Sequence, residues 1–456
     1  MAAKGSRDDQ RALRDTRGAD SGWAARQVPT IVVPDATMVD EVTAAIAALG
    51  GRAITRVAAE PVRAAADAAS TGTVGVLVAD EGAARELPSL ATHDPRRMVA
   101  LVARPLASHE DVVVARDVGV TIVTGCGAFA AALTLLAHGV ERPWLASFAG
   151  LGGHDQARLA GIEGGGAEGR FVRQGPHIAL ARRGKTMSPA IPLGDAESVL
   201  EAVLALRDAA AAERVSAADE LFVENADASL EVLFGPARAL SDPASKAALA
   251  PYGLPFPTEI MCSSPSAAAS AASKVGFPAR VALASPDLRF TEHPDLAIDG
   301  LRHASGARDA YRELLLRAEL LSPEARVLGA TVSRSAVVTA RLAVRARVHR
   351  AGFVVADIAF ADEHGRAARD ATTLMLPASP AMVRRALDRL AGAPLLARIE
   401  EPLRDLLVRV GAFVRDRSRE VSEVWLEPVV RLADGRAEVW GARVVVGDVF
   451  ARALGD

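Results

Sequence analysis

The sequence predicts an α/β protein that is divided into several domains, and three observations predict this class. The chain has 456 residues, which is enough for roughly two to four domains with sizeable cores. Half of the residues are hydrophobic but only 4% are aromatic, so the cores are built mainly from Ala, Val and Leu. Short apolar segments alternate with amphipathic ones in the first third of the chain, which is typical of a parallel sheet with helical crossovers.

Composition also excludes several functional classes. A net charge of −3 argues against a general nucleic-acid or membrane-surface binder. Two cysteines, Cys126 and Cys262, are too few for a disulfide framework, so a reducing cytoplasm is the predicted location. The longest apolar run, at 125–140, is shorter than the ~20 residues of a membrane-spanning helix. Residues 1–28 are rich in Arg, Asp, Gly and Ala and are predicted to be a disordered tail.

Residues 29–146 are predicted to form a flavodoxin-like domain. Five units of strand and helix in this length indicate a parallel sheet with right-handed crossovers. The predicted strands are 30–33, 52–55, 74–79, 97–102 and 120–123, with helices that include 39–49 and 129–136.

Two families share this domain shape. The domain resembles a response-regulator receiver domain, in which Asp80 would be the phosphorylated carboxylate; Arg104 and Gly125, however, stand where that family has a hydroxyl and a lysine. Segment 118–133 also resembles the last strand and helix of the flavodoxin-like domain of NDP-forming acyl-CoA synthetases. We favour the second interpretation because of the downstream sequence, and we expect Asp80 to cap the helix that begins at Glu81.

Residues 147–235 are predicted to form a small α+β insert with a hairpin at 177–193 and a helix at 196–213. His154 follows a glycine-rich stretch. The acyl-CoA synthetases relay phosphate through a histidine in a Gly-His motif, and Gly153-His154 is similar to it, so His154 is a candidate catalytic residue. A lone loop histidine is more often only solvated, and both interpretations stay open.

Residues 236–456 resemble the ATP-grasp domain of the same synthetases. Segment 240–255 matches the opening helix and the Tyr-Gly-Ile-Pro strand of that domain, and Lys246 on this helix is expected to be exposed. The other matching segments are 264–274, 275–287, 359–390 and 423–446.

The strongest part of the resemblance is the C-terminal hairpin at 423–446. The family ends one strand in Glu-Leu-Asp-Ile-Asn-Pro and begins the next with Asp-Ala-Arg. Here Trp425 stands at the first Asp, Glu427 at the Asn and Gly441 at the second Asp. The frame of the hairpin is therefore kept while much of its chemistry is replaced.

Four arginines are candidate cofactor-binding residues. The family's phosphate-binding lysine falls at Ala282, and Arg280 lies two residues away on the same face of the strand, where it could substitute. Arg345 and Arg347 share a face of a predicted strand and could contact a polyphosphate or the diphosphate of CoA; a solvated sheet face is the alternative. Arg443 stands at the arginine of the Asp-Ala-Arg motif.

Glu427 and Glu423 are the candidate metal ligands. Mg²⁺ prefers oxygen ligands, mostly carboxylates, phosphates and water. Glu427 can supply one oxygen and Glu423, four residues earlier, a displaced second one, whereas Gly441 supplies no side chain. Loss of one donor at such a preorganised centre commonly costs ~2.7–4 kcal/mol, so weak or absent turnover is expected.

The sequence thus predicts a divergent acyl-CoA synthetase-like protein that binds a nucleotide or CoA with weak or lost ligase activity. ATP or ADP with Mg, and CoA, are implied by the resemblance only, and the chain could also use no cofactor. The alternative is a non-catalytic scaffold or regulatory protein with a receiver-like domain and a degenerate ATP-grasp domain. A separate synthetase subunit or a homo-oligomer is a further predicted partner, because the sequence has no clear CoA-binding fingerprint.

Overall fold

The computed structural model describes residues 28–35, 38–49, 51–143, 146–150, 169–174, 177–182, 190–210, 221, 223, 225–288, 292–361, 367–390 and 399–447. The chain divides into two compact units, Met1–Arg214 and Val215–Asp456. Both units combine helices with sheets, which confirms the predicted α/β class. Among the helices in these ranges, none is long and apolar enough to cross a lipid bilayer.

The first unit is built on a parallel five-stranded sheet in the order β2-β1-β3-β4-β5. This order is that of flavodoxin-like folds and confirms the predicted parallel sheet. The second strand begins two residues later than predicted, because its pairing with the first strand starts at Ile54. The strands are β1 (Thr30–Val33), β2 (Ile54–Val57), β3 (Val74–Val78), β4 (Met98–Val102) and β5 (Thr121–Val123).

Helices cover both faces of this sheet. Alternate residues of β1 point to opposite faces: Ile31 and Val33 belong to one apolar core, whereas Val32 belongs to the other. Such two-sided burial explains why the strands read as continuous apolar runs. The helices are α1 (Val39–Ala48), α2 (Pro61–Ala69), α3 (Glu81–Glu86), α4 (Glu110–Asp117) and α5 (Cys126–Ala137).

A second, four-stranded sheet completes the first unit, in the order β6-β7-β8-β9. Its buried residues Phe171 and Ile178 join the same apolar core as Ile31, together with Val199 of the following helix. The predicted hairpin and helix are therefore present. The bounds of the insert itself, 147–235, stay a prediction. The elements are β6 (Ser147–Gly150), β7 (Gly169–Gln174), β8 (His177–Arg182), β9 (Ile191–Gly194) and α6 (Ala196–Ala210).

The second unit begins with a short pairing strand and a small antiparallel sheet in the order β11-β14-β12-β13. Two helices, α9 and α10, cover one face of this sheet with an apolar core. The elements are α7 (Ala228–Leu233), β10 (Arg238–Ala239), α8 (Asp242–Leu249), β11 (Glu259–Cys262), α9 (Pro265–Val275), β12 (Ala279–Ala284), β13 (Ala297–Leu301), α10 (Ala304–Leu321) and β14 (Gly329–Arg334).

A seven-stranded sheet forms the rest of the second unit. Its strands follow the order β10-β20-β18-β15-β16-β17, and β19 also pairs with β18. Helix α12 packs on one face through buried residues such as Leu406, Val410 and Phe413. The elements are β15 (Val338–Val348), β16 (Val354–Ala361), β17 (Ala367–Leu376), α11 (Pro380–Asp388), α12 (Glu400–Asp416), β18 (Val421–Leu432), β19 (Ala437–Val439) and β20 (Ala442–Val446).

Candidate functional site

The C-terminal hairpin forms the neighbouring strands β18 and β20, and its side chains alternate between two environments. Val424 and Leu426 are fully buried on the face that α12 covers. Trp425 points to the opposite face, where it lies directly across from Arg443 on β20 and from Arg345 on β15. Because directly opposed residues in antiparallel strands project side by side, Arg345, Trp425 and Arg443 form an Arg–Trp–Arg row across the sheet.

A pocket opens where this row meets the loop after β12. The pocket is partly open to solvent. Its wall combines apolar side chains with an indole, a guanidinium and carboxylates. The lining residues are Leu240, Asp242, Ser285, Leu288, Trp425, Glu427, Ala442 and Arg443.

The loop after β12 is held in place by its own side chains. The Ser285 hydroxyl accepts hydrogen bonds from the backbone N–H groups of Asp287 (3.1 Å) and Leu288 (3.3 Å). Asp287 accepts from the guanidinium and the backbone N–H of Arg326 at 2.8–3.1 Å. These hydrogen bonds lower the pKa of Asp287, and the positive charge of Arg443 adds to the effect. These contacts therefore fix the rim of the pocket.

The opposite edge of the pocket is fixed by helix α8. Asp242 Oδ1 accepts from the backbone N–H of Ala442 (2.7 Å), and Ser245 Oγ accepts from that of Val444 (2.9 Å). Spacing of three or four residues puts such side chains on one helix face. That face supplies acceptors to the outer edge of β20 and so fixes the backbone on both sides of Arg443.

Lys246, on the same face of α8, is buried, so the expected exposure is wrong. Its ammonium group lies 2.9 Å from Asp242 Oδ2 and donates to both oxygens of Glu259 (2.8 Å) and to the Trp440 carbonyl oxygen (2.9 Å). The buried charge of Lys246 is tolerated because the oxygens of Asp242, Glu259 and Trp440 surround the ammonium group. Burial raises the pKa of Glu259, although the nearby Lys246 acts in the opposite direction.

Arg280 is also buried, on the face of β12 that is opposite to the helix-covered core. Val281 belongs to that core, so Arg280 and Ala282 share the other face, as predicted. Arg280 Nε lies 3.5 Å from Asp299 Oδ1, and the guanidinium carbon lies 4.9 Å from the ring centroid of Trp440. Arg280 does not line the pocket, and its role in cofactor binding stays a prediction.

The other two predicted arginines of the large sheet face carboxylates of the chain itself. Arg345 donates to Glu423 through Nε (2.8 Å) and Nη2 (2.6 Å), and its guanidinium carbon lies 4.9 Å from the Trp425 ring centroid. Arg347 donates to Asp357 at 3.3 Å. Of the four predicted cofactor arginines, only Arg443 lines the pocket, and the assignments of Arg345 and Arg347 stay predictions.

The residues at the hairpin do not fit a magnesium site. The Glu423 carboxylate accepts two hydrogen bonds from Arg345, and both oxygens of Asp242 are engaged. The Gly441 carbonyl oxygen accepts from the backbone N–H of Glu427 at 2.8 Å. Glu427 also has a partner within the chain, whereas Mg²⁺ requires several converging oxygens. Throughout the described ranges, no group of three or more His, Cys, Asp or Glu side chains is arranged to hold a metal ion.

Sequence reasoning missed Asp242 and Lys246 as parts of this site. The available signal was the spacing of three polar residues, Asp242, Ser245 and Lys246, on an otherwise Ala-rich helix. This spacing puts an aspartate and a lysine on one helix face, and charged residues on a buried face normally have partners. The candidate His154 lies outside the described residues.

The first unit places its acids differently. Asp80 caps α3, as predicted, because Asp80 Oδ1 accepts from the backbone N–H of Ala83 at 2.9 Å. Glu201 Oε1 accepts from the backbone N–H and hydroxyl of Thr124 (2.5 and 2.9 Å) and from the Gly125 N–H (3.3 Å) at the start of α5. Helix starts attract carboxylates for this reason.

Known proteins resemble part of this chain. Residues 231–446 match the family model of the ATP-grasp domain. An acetyl-coenzyme A synthetase of Ca. Korarchaeum cryptofilum, described as dinucleotide forming, is similar at 20% identity over 46% of this chain and 94% of its own, with a TM-score of 0.41. The protein PH1788 of Pyrococcus horikoshii Ot3 is similar at 19% identity over 49% of this chain and 99% of its own, with a TM-score of 0.43. No curated protein matches the chain.

The family match covers the small antiparallel sheet, the large sheet and the pocket between them. It also includes the hairpin on which the resemblance in the sequence chiefly depends. Residues 231–446 of this chain form an ATP-grasp domain.

Proposed function

We propose that the second unit is an acyl-CoA synthetase-like module that binds a nucleotide, or CoA, in the pocket at its C-terminal hairpin. One observation carries the proposal: the ATP-grasp domain has a pocket at the hairpin that is partly open to solvent, with Arg443 in its wall. A guanidinium suits a phosphate group, and the apolar and indole surfaces suit a planar ring.

We further propose that ligase turnover is weak or lost. Ala282, at the position of the expected phosphate-binding lysine, is buried and carries no charge. The hydrogen bonds that Glu423, Asp242 and Gly441 make within the chain argue against a Mg²⁺ site at the hairpin. Phosphoryl transfer depends almost entirely on positioning and electrostatic stabilisation, so an ATP-grasp site without these charges retains binding better than catalysis.

Isothermal titration of the purified protein with ATP, ADP and CoA tests the binding. A Leu288→Trp substitution fills the pocket from its rim and is expected to weaken binding at least tenfold. Leu316→Trp, on the exposed side of α10, is the matched control and should leave the dissociation constant unchanged. The proposal fails if none of the three ligands binds, or if Leu288→Trp binds as well as Leu316→Trp.

Turnover is tested separately, by following ATP formed from an acyl-CoA, ADP and phosphate. We expect rates far below the 1–10³ s⁻¹ that are typical of enzymes. A rate within that range would overturn the loss of ligase activity while leaving the binding proposal intact.

The alternative function is a non-catalytic scaffold or regulatory protein. Carboxylates of the chain neutralise Lys246, Arg345 and Arg347. Cations that are already paired attract an anionic ligand less strongly, which favours the scaffold. The parallel sheet order of the first unit is also that of receiver domains. Thermal unfolding separates the two functions: no shift with ATP, ADP or CoA would favour the scaffold.

A further inference from the structure

We infer that Lys246 is a positioning residue for the hairpin pocket: it links the small antiparallel sheet to the large sheet and so sets the separation of the two pocket walls. Lys246 is not among the described residues that line the pocket, so its effect on a ligand is indirect. The inference rests on the proposed ligand binding and names a residue outside the pocket on which the affinity depends.

The two walls of the pocket belong to different sheets. Ser285 and Leu288 follow β12 of the small sheet, whereas Trp425 and Arg443 lie on β18 and β20 of the large sheet. The separation of the walls therefore depends on contacts that join the two sheets rather than on the hydrogen bonds within either sheet. A ligand that touches both walls is sensitive to this separation.

Helix α8 is held on the large sheet. Asp242 and Ser245 accept hydrogen bonds from backbone N–H groups of β20 at 2.7 and 2.9 Å. Lys246, the next residue of the helix, donates to the Trp440 carbonyl oxygen at 2.9 Å, just before β20 begins. The ammonium group of Lys246 therefore has a fixed place relative to the hairpin.

The same ammonium group reaches the small sheet. It donates to both carboxylate oxygens of Glu259, on β11, at 2.8 Å. The side chains of Lys246 and Glu259 are only 9% and 10% exposed, so water competes little for either group, and a hydrogen bond between charged groups is stronger in such surroundings. This Lys246–Glu259 link thus joins α8, and through it the large sheet, to the small sheet.

Two other contacts join the same sheets. The Val439 N–H donates to the Pro255 carbonyl oxygen at 2.8 Å, in the connection that leads to β11. The Arg280 guanidinium carbon, on β12, lies 4.9 Å from the ring centroid of Trp440. Each of these contacts joins one group to one other, which limits the distance between the sheets but permits rotation.

The Lys246–Glu259 link restrains direction as well as distance. An ammonium group has three N–H donors, and here Asp242, Glu259 and Trp440 supply acceptors on three separate parts of the chain. Without the Glu259 carboxylate the small sheet is less restrained relative to the hairpin. A ligand would then have to order both walls as it binds, which weakens binding.

Titration calorimetry of the full chain with ADP tests this effect in two variants of Glu259. Glu259→Leu removes the acceptor on the small sheet, while Lys246 keeps Asp242 and the Trp440 carbonyl oxygen as partners. We expect the affinity for ADP to fall about five- to tenfold, as for other residues that act on a ligand without touching it. Glu259→Gln keeps an oxygen that accepts from Lys246 and should stay within about threefold of the parent.

Leu314→Ala is the matched control for a loss of stability alone. Leu314 is fully buried in the apolar core between α10 and the small sheet, so its truncation leaves a cavity and destabilises the unit. Because the Lys246–Glu259 link stays intact, the dissociation constant for ADP should be that of the parent.

Amide hydrogen exchange tests the link without a ligand. The Val439 N–H is bonded across the two sheets, so their separation exposes it to exchange. Relative to peptides from β15, exchange in peptides that contain Val439 should be several-fold faster in Glu259→Leu, and it should be unchanged in Glu259→Gln and Leu314→Ala. In the parent chain, saturating ADP should slow this exchange.

The inference is overturned if Glu259→Leu binds ADP like the parent, or if Leu314→Ala loses as much affinity, since stability alone would then explain the loss. Exchange at Val439 that neither Glu259→Leu nor ADP alters would also overturn it. Absence of ADP binding in the parent would instead count against the proposed function, and faster exchange at Val439 in Glu259→Leu would still support the link between the sheets.

Discussion

Acidic side chains have different partners at the carboxyl edge of the parallel sheet in the first unit and beside the hairpin pocket in the second unit. At the edge of the first sheet, Asp80 and Glu201 accept hydrogen bonds from backbone N–H groups where α3 and α5 begin. In the second unit, Asp242 and Glu259 surround a buried ammonium group beside an open pocket.

The difference shows why sheet topology alone does not locate a site. Open parallel sheets often bind ligands at the carboxyl ends of their strands, yet here Glu201 fills the start of α5 with a carboxylate from the same chain. In the second unit Asp242 and Glu259 instead pair with the buried Lys246, and Asp242 also accepts a hydrogen bond from Ala442 at the edge of β20, while the pocket stays open. Function must therefore be argued from individual groups rather than from the fold.

Lys246→Ala is expected to give the largest effect and tests whether the buried charges of the second unit are structural. Removal of the ammonium group leaves Asp242 and Glu259 buried without their cation, which typically costs about 3–5 kcal/mol. The change in the free energy of unfolding, measured with urea, checks this value. Lys274→Ala, at the exposed end of α9, should change it by less than about 0.5 kcal/mol. A loss below about 1 kcal/mol in Lys246→Ala would show that water or a rearrangement replaces the lysine.

Glu201→Ala tests the other side of the comparison. Loss of this carboxylate leaves the N–H groups of Thr124 and Gly125 without their acceptor, and a lost helix-start acceptor costs about 0.5–2 kcal/mol. Urea unfolding of the variant checks the value, with Glu86→Ala as an exposed control on α3. Nucleotide titration of Glu201→Ala should match the parent chain. A change in nucleotide affinity would show that the acids at the helix starts of the first unit also affect ligand binding.

Glu259 gives a pH-dependent prediction of smaller size. Because burial raises its pKa in the folded state above 4.5, the folded chain holds this proton more tightly than the unfolded chain. The contribution of Glu259 to stability is therefore greatest below the unfolded pKa and is lost as pH rises through the folded pKa. Unfolding free energies across this range should fall more steeply with pH in the parent than in Glu259→Gln.

The control for this series is Glu319→Gln, on the exposed face of α10, which should keep the pH profile of the parent. If the parent instead gains stability relative to Glu259→Gln as pH rises, the attraction of Lys246 outweighs burial. The cluster would then be a net stabilising ion pair.

Much of the fold follows from the sequence because hydrophobic periodicity determines element type. The first strand, 30–33, is predicted at its observed bounds, since Ile31 and the valines around it are buried from both faces. The strand before α6 that pairs with the predicted hairpin, β7, is missed. It follows a glycine-rich stretch at 161–166, where the local pattern is weak and pairing depends on residues distant in sequence.

The candidate site is less predictable because its chemistry arises from pairing across strands. Glu427 and Arg443 are predicted beside the pocket through the hairpin frame, and both line it. Arg345 has the same residue type and a suitable spacing, but it is paired with Glu423, which lies diagonally across the β15–β18 ladder. Register of this kind depends on the whole sheet, so residue type alone cannot distinguish a ligand-binding arginine from one that is paired internally.

Cys126 offers the smallest and most local test, at the start of α5 in the first unit. A thiol at a helix start usually has a lowered pKa, yet burial and the hydrogen bond from Cys126 Sγ to Glu41 Oε1 (3.3 Å) raise it to about 11. Glu41→Gln removes one negative charge, so more thiolate should form at a given pH and alkylation by iodoacetamide should be several-fold faster. Mass spectrometry locates the label, and Cys262, which is buried in the second unit, serves as the internal control. An unchanged rate would mean that burial alone sets the thiol pKa. A faster rate would show that Glu41 raises the thiol pKa. Glu41 would then be a third acid, with Asp80 and Glu201, that binds a group at the carboxyl edge of the parallel sheet.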